Sequence, residues 1–119
     1  MTFKQVRDKL LELESSYLFP VKRGAIFDKR NRDAIYLGDN KVERKDGTWK
    51  LTNYELGIEI EWDKDTQEIK RVSLNGEEFE IDKDDLVQVA FFNSFKHFLR
   101  TVQNEAESFF EVLDEVFSK

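Results

Sequence analysis

Apolar residues recur at two different spacings along the chain, and the changes of spacing divide it into three parts. Phe3, Val6, Leu10, Leu11 and Leu13 fall mostly three or four residues apart, the spacing of one helix face. Thr2 stands where its hydroxyl can cap that face, with Gln5 at the third helical position. The pattern predicts a helix over Phe3–Ser15. Pro20 then marks extended chain, because its ring disfavours helix at the residue before it.

From Val21 to Ile81 the period changes to two, and turn residues punctuate it. Ala25–Asp28 and Asp33–Leu37 flank the polar loop Lys29-Arg30-Asn31-Arg32, and Gly38-Asp39-Asn40 makes a second turn. Asp46-Gly47 and Asn75-Gly76 are strong two-residue hairpin signals, because a type I′ turn needs positive φ at both central positions. These turns set a register. Asn75-Gly76 pairs Leu74 with Glu77, Val72 with Phe79 and Arg71 with Glu80. A three-residue loop at Asp65-Thr66-Gln67 pairs Trp62 with Lys70, Ile60 with Val72 and Ile58 with Leu74. A four-residue loop would mix the faces. Asp46-Gly47 pairs Val42 with Leu51 and Arg44 with Trp49. Ile58, Ile60, Trp62, Val72, Leu74, Phe79 and Ile81 then share one face. Glu59, Glu61, Arg71, Ser73, Glu78 and Glu80 share the other, as in a sheet covered on one side only.

The helical spacing returns after Asp84. Phe91, Phe95, Phe98, Val102, Ala106, Phe109, Leu113 and Val116 recur every three or four residues, and seven of the eleven phenylalanines lie here. Asp82, Asp84 and Asp85 precede the stripe, where carboxylates favour the positive end of a helix. Either one helix runs to Phe117 or the segment breaks near Gln103-Asn104, with Asn104 capping a second helix. No glycine or proline forces the break, and the single helix is preferred. The fold class is therefore α+β: an N-terminal helix, an antiparallel meander of five or six strands, and a long C-terminal helix packed on one sheet face. A helix of ~34 residues spans about 50 Å, whereas a six-residue strand spans about 20 Å. Phe109, Phe110, Leu113, Val116 and Phe117 thus call for further cover, partly from the first helix and otherwise from a second copy of the chain.

Length and composition narrow the class. The 119 residues suit one domain over residues 1–119. Cysteine is absent, which excludes disulfides and thiolate chemistry and fits a reducing compartment, so a cytoplasmic location is expected. Charged residues interrupt the first fifteen positions, where a secretory leader needs an apolar run. No stretch approaches the ~18 apolar residues of a membrane span. The net charge of −6 is uneven: residues 1–45 carry +4 and residues 46–119 carry −10. An acidic total argues against general nucleic-acid binding, which needs a positive field.

Motifs for chemistry are missing. His97, the only histidine, has Lys96, Phe98 and Arg100 as neighbours and reads as a surface or packing residue. Asp63-x-Asp65 opens like a calcium loop, but Glu68 stands where glycine is needed and Leu74 where glutamate is needed. Neither a nucleophile elbow nor a phosphate-cradling glycine loop is present. No metal or cofactor is expected, and the chain leans away from catalysis. Three surfaces remain as candidates. The apolar end of the last helix (Phe109, Phe110, Leu113, Val116, Phe117) suits a protein partner or homodimer. A basic cluster (Lys22, Arg23, Lys29, Arg30, Arg32) around one hairpin suits phosphates or an acidic protein. The acidic face (Glu59, Glu61, Glu78, Glu80) suits an inhibitor that imitates nucleic acid. The leading expectation is a small non-enzymatic binding or regulatory protein acting through protein–protein contacts as a homodimer, with nucleic-acid binding and mimicry as alternatives.

Overall fold

The computed structural model describes residues 1–18, 25–28 and 30–118. Its architecture is α+β. Helix α1 (Phe3–Leu18) precedes strands β1 (Ala25–Asp28), β2 (Asn31–Leu37), β3 (Asn40–Lys45), β4 (Thr48–Asn53), β5 (Ile58–Asp63), β6 (Ile69–Leu74) and β7 (Glu77–Phe79), and helix α2 (Leu86–Phe117) follows. The strands form one antiparallel sheet in the order β1-β2-β3-β4-β5-β6-β7, so each pairs only with its sequence neighbours. The sheet has seven strands where the pattern predicted five or six.

The turn chemistry sets the ladder. Asn75 (φ 53°) and Gly76 (φ 82°) both take positive φ, as a type I′ turn demands. They pair Leu74 with Glu77 and Val72 with Phe79. At Asp46-Gly47 only the glycine (φ 75°) has positive φ, so the turn is not type I′, yet Val42 still faces Leu51 and Arg44 faces Trp49. Two expected pairs do not form. Arg71 does not meet Glu80, because β7 ends at Phe79. Trp62 pairs with Ile69 instead of Lys70, because a bulge interrupts the ladder after Glu61. The loop between β5 and β6 is longer than expected: Asp63 N–H donates to the Glu68 carbonyl at 2.9 Å, and Gln67 takes φ 59°. Lys70 is the extra residue, and it returns Ile69 to the inward face beside Trp62. The bulge thus cancels the face-mixing that a longer loop would cause.

Both helices begin as their sequences suggest. Gln5 N–H donates to Thr2 Oγ1 and Thr2 N–H donates to Gln5 Oε1, a reciprocal cap for α1. That helix runs to Leu18, three residues past the expected end. Tyr17 explains the extension: it is buried, meets Phe98 edge-on at 5.4 Å between ring centroids, and its hydroxyl donates to Glu105 at 2.6 Å. The Asp85 carboxylate accepts from the Val87 and Gln88 amides and starts α2. This helix passes through Gln103-Asn104 without a break.

The way α2 lies on the sheet decides how much of it is covered. Its contacts move strand by strand. Asp114 meets Arg44 of β3, Phe110 meets Trp49 of β4, and Gln103 meets Trp62 of β5. Arg100 meets Gln67 in the β5–β6 loop, and Phe92 touches Phe3, which also touches Phe79 of β7. The helix therefore crosses the strands instead of following one. Comparing its length with a single strand understates the cover available. Seven strands about 4.8 Å apart offer roughly 29 Å, and α1 lies parallel to residues 91–105. A 32-residue helix spans about 48 Å, matching the molecule's longest extent of 49 Å. Both ends of α2 project: Leu86 and Val87 are exposed at one, and Val112, Val116 and Phe117 at the other.

Between the helices and the sheet lies one continuous core. Val6, Leu10, Leu13, Ile35, Leu51, Ile58, Ile60, Trp62, Phe95 and Leu99 are its fully enclosed centre. Polar groups inside it are satisfied. Trp62 Nε1–H donates to Gln103 Oε1 at 2.9 Å, and Gln103 Nε2 donates to the Lys64 carbonyl at 2.9 Å. Asn53 Nδ2 donates to Asn40 Oδ1, and Asn53 Oδ1 accepts from the Leu56 amide, which ties two turns at one end of the sheet.

Candidate functional site

The C-terminal end of α2 is held over β2 and β3 by one arginine. Arg44 alternates inward between Val42 and Trp49, so the sheet aims a guanidinium at the helix. Asp114 accepts from both of its terminal nitrogens, at 2.9 and 2.5 Å, and Asp33 accepts from its Nε at 3.0 Å. The guanidinium also lies 4.3 Å from the Phe110 ring centroid. These bonds hold the Asp114 carboxyl below the usual aspartate range, chiefly through the Arg44 hydrogen bond, with the charge of Arg32 as a smaller contributor. A charged residue on a core-facing strand position is the signal that could have revealed this clamp, because such a group needs a partner.

The five residues expected to lack cover divide. Phe110 and Leu113 are buried against the sheet of the same chain, and Phe109 is half-buried. Val116 and Phe117 remain open at 64% and 50% exposure, joined by Val112 at 55%. Asp114 already stands over β3 and α2 also contacts β2, so the following turn carries Val116 and Phe117 toward the β1 side of the sheet. Strand β1 is an edge, and its Ile26 is 69% exposed. The sequence pattern did not single out Ile26, which alternates outward between Ala25 and Phe27.

Lys22, Arg23 and Lys29 lie outside the described residues. Arg30 and Arg32 are exposed at the β1–β2 turn and the start of β2. The four glutamates do not form a uniform carboxylate array. Glu59 pairs with Lys50 at 3.6 Å and Arg71 at 3.2 Å, and Glu61 pairs with Arg71 at 3.3 Å. Glu78 and Glu80 are exposed, with Glu78 on the edge strand β7 and Glu80 just beyond it. That outer sheet face also carries a Lys41–Glu43 pair, so it is a mixed-charge surface.

Residues weighed for chemistry fall apart in space. His97 is exposed on α2. Asp63 does not open a calcium loop: its carboxylate accepts from the Asp65 and Thr66 amides at 2.8 and 2.9 Å, which folds the β5–β6 turn. Those amides, that of Thr66 foremost, also lower its pKa. Among the described residues, no three histidine or carboxylate side chains converge as metal ligands, and no helix is long and apolar enough to cross a membrane. Compared with protein-family models, curated proteins and solved structures, the chain matches none.

Proposed function

We propose that this chain is a non-enzymatic binding protein that acts through protein–protein contacts and pairs with a second copy of itself. The observation that carries the reading is the projecting end of α2, where Val112, Val116 and Phe117 stay exposed. Clustered apolar side chains left open at a helix end are often functional surfaces. An isologous pairing would bring the patch against its own copy across a two-fold axis. The patch is smaller than the ~800 Å² per partner of a standard interface, so association in the micromolar range is expected.

The charge-based readings have less support. Lys50 and Arg71 neutralise two of the four glutamates that nucleic-acid mimicry would use. Part of the Arg32 field is directed at Asp114. The pairing is tested by multi-angle light scattering from about 10 μM to about 1 mM, bracketing the affinity expected of a small interface. The wild-type mass should rise toward the dimer, and a V116D/F117D double variant should remain monomeric. A wild-type chain that stays monomeric throughout overturns the proposal.

A further inference from the structure

A second feature lies at the opposite edge of the sheet. Strand β7 covers only Val72–Leu74 of β6. Beyond Phe79 the chain turns from β6 toward α2: the Asp82 amide donates to Gln88 Oε1 at 3.0 Å, and the Asp82 carbonyl accepts from the Asp85 amide. The departure opens a cleft of about 270 Å³ between the start of β6, this departing segment and the first turns of α2. Its floor is apolar, made by Ile69, Ile81, Val89 and Phe92. These positions follow from the pattern, since Val89 and Phe92 share a helix face and Ile69 is turned inward by the bulge.

The rim carries Lys83, Lys96, Asn93 and Glu68. Lys96 stands one helical turn beyond Phe92 and has no ion-pair partner among the described residues. Lys83 reaches Glu68 at 3.7 Å, and Lys70 reaches the same carboxylate at 3.6 Å. One glutamate thus answers two of three nearby lysines. The neighbouring aspartates are already engaged with backbone amides: Asp85 caps α2, and Asp82 Oδ1 accepts from Asp84. In a chain of net charge −6, Lys96 sets one ammonium above an apolar floor without an ion-pair partner among the described residues.

We infer that this cleft binds a small apolar carboxylate, with its hydrocarbon on Ile69, Ile81 and Phe92 and its anionic head at Lys96 and Lys83. The cleft lies near the small end of ligand pockets, suiting roughly ten non-hydrogen atoms. A medium-chain acid or an arylalkanoate fits that description. An inorganic anion would leave the floor wet, and an alcohol would leave the lysines unanswered. The site is separate from the pairing surface at the far end of α2, so either proposal can fail without the other.

The probe is octanoate, titrated into the full ¹⁵N-labelled chain. The amides of Ile69, Ile81, Phe92 and Lys96 should shift together and saturate with a Kd of about 1 mM or tighter, as a ligand of this size allows. Octanol should bind about tenfold more weakly, and sulfate should not shift these amides saturably. In a K83E/K96E variant octanoate binding should be lost and octylammonium binding gained, while amides elsewhere keep their positions and so report an intact fold. The inference is overturned by no saturable shift up to about 10 mM, by equal binding of octanoate and octylammonium to the wild type, or by a variant that still takes octanoate.

Discussion

Replacing Gln103 with leucine isolates one buried hydrogen bond between the long helix and the sheet. The change keeps side-chain volume and helix preference nearly constant. It removes the acceptor of the Trp62 indole N–H, and Trp62 has no exposed surface. It also removes the Gln103 donor to the Lys64 carbonyl, but that oxygen still accepts from Gln67 Nε2 at 2.8 Å. The cost therefore comes mainly from one orphaned indole donor, about 1–3 kcal/mol. A gain below about 1 kcal/mol from the new apolar contact offsets part of it. The net expectation is about 1.5–2 kcal/mol of lost stability, or a Tm lower by about 5–10 °C for a domain of this size. Urea unfolding followed by circular dichroism at 222 nm measures it, with an unchanged m-value. In a W62F background no indole N–H remains to be orphaned, so Q103L there should cost less than about 0.5 kcal/mol. A Q103L protein as stable as wild type, or a double-mutant cycle with coupling below about 0.5 kcal/mol, would refute the claim that this strut fixes α2 on the sheet.

Two further outcomes follow from the fold, besides the association and carboxylate titrations described above. Because Arg44 depresses the folded-state pKa of Asp114, its stabilisation is complete above the ordinary aspartate value and fades as pH falls through the lower folded value. Amide protection of Glu115–Phe117, taken against the intrinsic exchange rate at each pH, should fall as pH drops below the ordinary aspartate value of about 4, and D114N should lack both that protection and its pH dependence; identical protection in both proteins would remove the clamp. Gly57 takes φ 70°, and a Cβ there would lie 2.1 Å from Asn75 Oδ1. G57A should cost about 1–3 kcal/mol in the same urea assay, and a neutral result would show that the two turns move apart freely.

Much of the sheet was legible because its turns name themselves. Asn75-Gly76 and Asp46-Gly47 dictate which residues face each other, and the alternation of Ile58, Ile60 and Trp62 says which face is wet. The bulge at Lys70 was not legible. It answers a tertiary demand, the burial of Ile69 beside Trp62, that no local signal announces. Tyr17 was missed for a similar reason: its partners Phe98 and Glu105 lie more than eighty positions away. Gln103-Asn104 left a helix break open as the less favoured alternative, because polar pairs often cap, whereas Gln103 is polar in order to meet a buried indole. The expected apolar surplus on α2 shrank because the helix crosses the strands of the sheet, and its direction over the sheet is not written in its period. Only Val116 and Phe117 of the five residues stayed exposed, with Val112 beside them.

The nearest-neighbour strand order has a bearing on how the chain is made. Each hairpin can zip onto the previous one as it emerges, with short loops to close and no distant strand to await. The helix that shields the greasy side is synthesised after all seven strands. During that interval only α1 is there to cover Ile35, Leu51, Ile60 and Trp62, so a nearly finished sheet stands partly bare, a state prone to sticking. Residues 86–117 therefore act as a late lid on their own ribosome-bound precursor, and mutations that slow their docking should lower yield in cells before they lower stability in the test tube.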